Sequence, residues 1–125
     1  MSMETPLRKV RGMGSAHTGA SHFIYQRVTA AALVPLTLWF AVSVIGLVGV
    51  GEVDAMMFLS LPMHAILMGL FVLTLLYHLA LGLQEVIIDY VPHQIFKFLL
   101  IFAVYGFAVI AAFFCLFALA SIAIA

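Results

Sequence analysis

The stretch LPMHAILMGLFVLTLLYHLALGLQEVIIDY, residues 61–90, carries the reading of the whole chain. It is apolar over more than the roughly 20 residues a helix needs to cross a hydrocarbon core about 30 Å thick. Yet it holds His78 in its interior and closes on Asp89 and Tyr90. An ionisable side chain at such depth costs free energy unless it ligates, pairs or faces a polar cavity, so its default reading is functional. At about 3.6 residues per turn, the eleven-residue step from His78 to Asp89 is close to a whole number of turns, and the two share one face roughly 16 Å apart along the axis. Gly82 and Glu85 fall on the same face. The remaining faces, with Leu79, Leu81, Leu83, Val86, Ile87 and Ile88, suit lipid or neighbouring helices.

Outward from this stretch the chain has the same character. Of its 125 residues 66% are hydrophobic and only 8% charged, far from the balance of a soluble domain. Three stretches are long enough to span, residues 28–50, 61–88 and 98–125, so the expected fold is an all-α membrane protein of three transmembrane helices. Residues 1–27 are expected to form a cytoplasmic N-terminal arm, extended to about Ser21, and residues 28–125 the three-helix domain. The first stretch begins too far along to be the apolar core of a signal peptide, and the arm does not resemble an organelle transit sequence, which favours a bacterial source. Pro35 is expected to bend the first span, Asp54 or Ser60 to cap the next helix with Pro62 in its first turn, and Pro92 to end it. The third span is rich in Phe and Ala and reads as packing and lipid contact.

Net charge is zero, but its distribution is lopsided. Arg8, Lys9, Arg11 and Arg27 precede the first span and Lys97 lies in the second connection, whereas the first connection holds only Glu52 and Asp54. Three spans put the N-terminus and the second connection on one side, which the positive-inside rule makes cytoplasmic, with the C-terminus outside. No basic tract with interleaved aromatics points to nucleic acid. Cys115, the lone cysteine, reads as a small buried hydrophobe.

Imidazole is a standard axial ligand of haem iron, and His78 falls near the midplane of the core if Asp89 marks the interface. The alternative is a hydrogen bond to a neighbouring helix, and Gly82 would leave room for either a flat macrocycle or that helix. His64 lies about 21 Å from His78 along the helix and cannot reach the same iron. His17, His22 and His93 lie outside the expected spans, so a second haem ligand would come from another subunit. His22 and Arg27 stand where haem propionates could be met, a guanidinium suiting a carboxylate; Arg27 also reads as an interfacial anchor. Tyr90 could donate to a quinone carbonyl with Asp89 relaying a proton, or serve as an aromatic-belt anchor beside a solvated carboxylate. Glu85 could pair with Arg27 or with a partner's cation, or face water.

The run from His78 to Tyr90 fits H-x3-G-x3-V-x2-D-Y and resembles the small membrane-anchor subunit, the D subunit, of succinate dehydrogenase (complex II). The similarity extends to His22, to the run QRVTA at 26–30 and to the three-helix plan. It implies that His78 is an axial ligand of haem b, that Asp89 and Tyr90 belong to the ubiquinone site, and that His22 and Arg27 lie near the propionates. It also implies a cytochrome b subunit giving the other axial histidine, together with iron–sulfur and flavoprotein subunits, in a bacterial inner membrane. Succinate oxidation would belong to those partners, because nothing in this chain could hold a flavin or a cysteine-ligated cluster. A fumarate reductase anchor, and a haem-free structural subunit in which His78 and Glu85 line a proton path, are the alternative readings. The charge asymmetry predicts that alkaline phosphatase fused after Ala125 is active in a bacterial host; a stably inserted but inactive fusion would reverse the topology.

Overall fold

The computed structural model describes residues 18–125, with side chains from Ala20 onward. Arg8, Lys9, Arg11, His17 and most of the expected arm lie outside the described residues. Among the described residues four helices follow in order: α1 (Thr18–Gly46), α2 (Glu52–Ser60), α3 (Pro62–Tyr90) and α4 (Gln94–Ile124). All regular structure among the described residues is helical, and α1 from Ala20, α3 and α4 are long and apolar enough to cross a membrane.

Two helices start earlier than hydropathy suggests. The extended arm expected to Ser21 is helical from Thr18, ten residues before the expected span, so His22, Gln26, Arg27 and Thr29 ride on α1 itself. Lys97, expected in a connection, lies in the first turn of α4. Once nucleated, a helix adds a hydrogen bond for each residue fixed, so it runs past the apolar stretch until a breaker or a cap intervenes. His93 provides that cap for α4, its side chain accepting from the Phe96 N–H at 3.4 Å. Pro62 opens α3 and Pro92 follows its end, as expected. Neither Asp54 nor Ser60 caps α3. Asp54 lies with Glu52 in the first turn of α2, where carboxylates complement the helix dipole, and the Ser60 hydroxyl donates to the Met57 carbonyl at 2.7 Å. Pro35 sits within an unbroken α1, on a side turned away from α3.

The corner between α1 and α3 turns on Gly49, whose φ of 81° is one that side chains with a Cβ resist. His64 then ties the corner down. Its ring stacks on Phe58 with centroids 3.8 Å apart and lies 6.3 Å from Trp39. Its Nδ1–H donates to the Phe58 carbonyl at 3.1 Å, an acceptor it shares with the Leu61 N–H at the end of α2.

Helix α3 is the axis of the fold, packed on both α1 and α4, and it supplies all the buried positions among the described residues: Gly69, Phe71, Ala80 and Leu81. Toward α1, Phe71 stacks on Phe40 with centroids 4.7 Å apart. Toward α4, Gly69 admits Leu116 and Leu119, while the Tyr105 hydroxyl donates to Gln84 Oε1. Small residues at close crossings and a few interhelical hydrogen bonds are what hold helices together where lipid removes the hydrophobic drive. The outer faces are another matter. Phe102, Phe113 and Phe117 are each more than 70% exposed. In water each such side chain would forgo about 1.5–3 kcal/mol of burial, so these faces require lipid or other subunits.

This packing predicts opposite outcomes at two small residues. A methyl group at Gly69 meets Leu116 and Leu119 only at 3.7 and 3.9 Å, so Gly69→Ala should leave the unfolding midpoint in detergent unchanged or raise it. Ala80 is 2% exposed, and Ala80→Phe should lower stability by about 1–3 kcal/mol.

Candidate functional site

The antiparallel packing of α1 on α3 sets up a seam of polar side chains. His22, Gln26 and Thr29 recur at helical spacing on α1, and Glu85, Gly82 and His78 recur at matching intervals on α3. The two sets meet rung by rung. On the first rung, His22 Nδ1 lies 2.7 Å from Glu85 Oε1. A carboxylate only accepts, so the imidazole donates from Nδ1. The His22 side chain is 21% exposed and that of Glu85 54%, so the pair is screened on its carboxylate side and contributes at most about 1 kcal/mol.

On the second rung, Gln26 crosses over Gly82, where an added Cβ would meet the Gln26 amide nitrogen at 3.7 Å. The close approach of the neighbouring helix, one of the two uses expected for this glycine, is seen here at the Gln26 side chain. His22 Nε2 and Gln26 Oε1 are both buried and have no hydrogen-bond partner among the described residues.

On the third rung, His78 Nδ1 lies 2.9 Å from Thr29 Oγ1, in half-buried surroundings. His78 also lines a groove of about 410 Å³ whose remaining walls are Ala30, Leu33, Val34, Thr37 and Leu38 of α1. This groove opens on the outside of the helix pair. It is almost wholly apolar, and His78 is its only ionisable lining residue.

Arg27 lies on the α1 flank that leads into the groove. Its offsets of seven and eleven residues from Val34 and Leu38 put all three on one stripe, with Arg27 about 10 Å along the axis from Val34. The Arg27 guanidinium is exposed and sits 5.0 Å over the Phe23 ring. His22, by contrast, is about 140° round α1 from Arg27. The two expected propionate partners therefore stand on different sides of α1: Arg27 on the stripe that leads to the groove, and His22 engaged with Glu85 through Nδ1. Glu85 in turn pairs with His22 rather than with Arg27.

Asp89 and Tyr90 occupy the last turn of α3, Asp89 in line with His78 and Tyr90 80% exposed. Among the described residues neither side chain is engaged in a hydrogen bond or an ion pair. Nor does any group of three or more His, Cys, Asp or Glu side chains stand ready for a metal ion among those residues. Among the described residues His78 is the one histidine that lines the groove, and His64 is engaged with Phe58.

Sequence reasoning missed three of these contacts: Thr29 on His78, His22 on Glu85 and His93 as the cap of α4. The first two join residues 49 and 63 apart, and a single sequence holds no signal for pairing at that distance. The matched spacing 22-26-29 against 78-82-85 was a usable sign, had the first set been placed on a helix.

Residues 1–120 match the family model described as succinate dehydrogenase/fumarate reductase transmembrane subunit. Over 109 residues, 86% of this chain and 84% of the other, it is 35% identical to the succinate dehydrogenase hydrophobic membrane anchor subunit of Paracoccus denitrificans. Over 103 residues, 82% of each chain, it is 34% identical to the subunit of that name from Rickettsia bellii (strain RML369-C). No solved structure matches.

Proposed function

The chain belongs to the succinate dehydrogenase/fumarate reductase transmembrane subunit family, a multi-pass membrane protein, and from that premise we propose that it anchors a succinate:ubiquinone oxidoreductase in a bacterial inner membrane, giving one axial ligand to a haem b and one side of a ubiquinone site. The observation that carries this reading is the lining of the groove beside α1, where a single imidazole stands among apolar walls. The donor set fits a haem. An imidazole nitrogen suits the iron, an apolar cleft suits the macrocycle, and a guanidinium at the cleft's approach suits a propionate. Bound there, the haem would supply a one-electron reservoir within the membrane.

His78 is the ligand and Arg27 the carboxylate partner in this account; His22, held by Glu85, braces α1 against α3. A second imidazole for such a haem would come from a cytochrome b subunit. Iron–sulfur and flavoprotein subunits on the cytoplasmic side would deliver the electrons from succinate. Both curated relatives are named for succinate oxidation, which supports that direction over fumarate reduction.

At the end of α3 the work of this chain is to bind quinone and handle protons. The exposed Tyr90 hydroxyl donates to a quinone carbonyl oxygen, and that bond strengthens as negative charge builds on the oxygen during reduction. The Asp89 carboxyl group, when protonated, passes its proton to the reduced quinone oxygen, and the carboxylate left behind takes up another proton from water. Both groups lie about 16–18 Å along α3 from His78, on the side from which electrons arrive.

Two substitutions test the parts separately. In the assembled complex, His78→Leu should abolish the bis-histidine signal in electron paramagnetic resonance; an unchanged signal would remove His78 from the haem. Tyr90→Phe keeps the ring and deletes the hydroxyl, and should slow quinone reduction by about tenfold or more with haem content unaltered. Normal quinone kinetics in both Tyr90→Phe and Asp89→Asn would leave only the anchoring role.

A further inference from the structure

Thr29 has one proton and three polar neighbours. Its Oγ1 lies 2.7 Å from the Tyr25 carbonyl oxygen, 3.0 Å from that of Gln26 and 2.9 Å from His78 Nδ1. Carbonyl oxygens only accept, so the hydroxyl proton is drawn back into its own helix, toward the closer Tyr25 carbonyl, in the back-bonding that threonine adopts inside helices. The hydroxyl oxygen then has only lone pairs left for His78. If Nδ1 were bare, two lone pairs would face each other at hydrogen-bond distance in an apolar setting; if it carries the hydrogen, every group is satisfied.

We propose that Thr29 is a positioning residue that accepts the His78 Nδ1–H and thereby holds the ring in the tautomer whose Nε2 keeps a free lone pair. The inference rests on the reading of His78 as a haem ligand and extends it to a residue that does not touch the iron. Neutral imidazole can present only one bare nitrogen at a time, and a ligating histidine needs its other ring N–H held by an acceptor to set both tautomer and ring direction. In water any solvent molecule could serve as that acceptor. Here the groove walls are apolar apart from Thr37, and Thr29, on the same helix, is the residue whose hydroxyl lies within hydrogen-bond distance of the ring. The hydroxyl therefore makes Nε2, and not Nδ1, the nitrogen available to the groove, and it raises the basicity of the ligand by accepting from the opposite side of the ring.

The test compares Thr29→Val, which replaces the hydroxyl by a methyl group of similar shape, with Thr29→Ser, which restores it, in the purified complex. Haem per assembled complex, the electron paramagnetic resonance g-values and the haem midpoint potential are the readouts. Thr29→Val should lower haem occupancy about tenfold or more and shift the g-values and potential of the haem that remains, as loss of the hydrogen bond behind a metal ligand does; Thr29→Ser should return all three. Should the valine variant fail to assemble, Thr29→Ala removes the hydroxyl without adding bulk, and the same changes are expected. Parental occupancy, g-values and potential in an assembled variant lacking the hydroxyl overturn the proposal, as do changes that serine does not rescue. His78→Leu run alongside separates the two levels: an unaltered haem signal there refutes the ligand reading itself, whereas loss of the signal with an inert Thr29→Val refutes only the role of Thr29.

Discussion

Polar side chains inside a membrane have to find partners, because no water is present to stand in for them, and the α1–α3 seam is how this chain meets that constraint. Set antiparallel in one register, the two helices bring His22 to Glu85 and Thr29 to His78, with Gln26 crossing the gap that Gly82 leaves. A shift of one residue would swing the His78 and Thr29 side chains about 100° apart and break the match along the whole seam. The energies are small singly, each interhelical hydrogen bond in lipid giving on the order of 1 kcal/mol. Their value lies in choosing one register among many that apolar packing alone would accept.

The same register decides what remains open. With its Nδ1 engaged by Thr29, His78 keeps its other ring nitrogen uncommitted, and the residue lines the groove along α1. Arg27 lies on the approach to that groove, and Asp89 and Tyr90 at the end of α3 stay free of partners among the described residues. Among the described residues only four are buried, all on the central helix, so the helix pairs need lipid or other subunits around them. This fits a subunit whose relatives are named as membrane anchors.

Much of this was legible beforehand. Three spanning helices follow from runs too apolar for any soluble fold, Pro62 and Pro92 bracket α3, and the His78–Asp89 stripe follows from helical periodicity. The boundaries of α1 and α4 were not, because hydropathy marks the edge of the apolar stretch and not the end of the hydrogen-bond ladder; His22 was left outside a span for that reason. Helix α2 escaped notice since nine residues carrying Glu52 and Asp54 read equally well as a loop. Glu85 had three candidate partners and took a fourth. His64 was recognised as unable to share an iron with His78, but its use as a clamp on Phe58 depends on a corner that only the folded chain creates.

The central claim is that the groove beside His78 holds one side of a b-type haem shared with a second subunit, and the reduced-minus-oxidised optical spectrum of the complex purified through this chain tests it most directly. The account predicts b-type haem bands that co-purify with the chain at one haem per copy and vanish when His78 is replaced. A spectrum containing only flavin and iron–sulfur changes, from a complex that still reduces quinone, would contradict it and leave the His78–Thr29 hydrogen bond as nothing more than a joint between two helices.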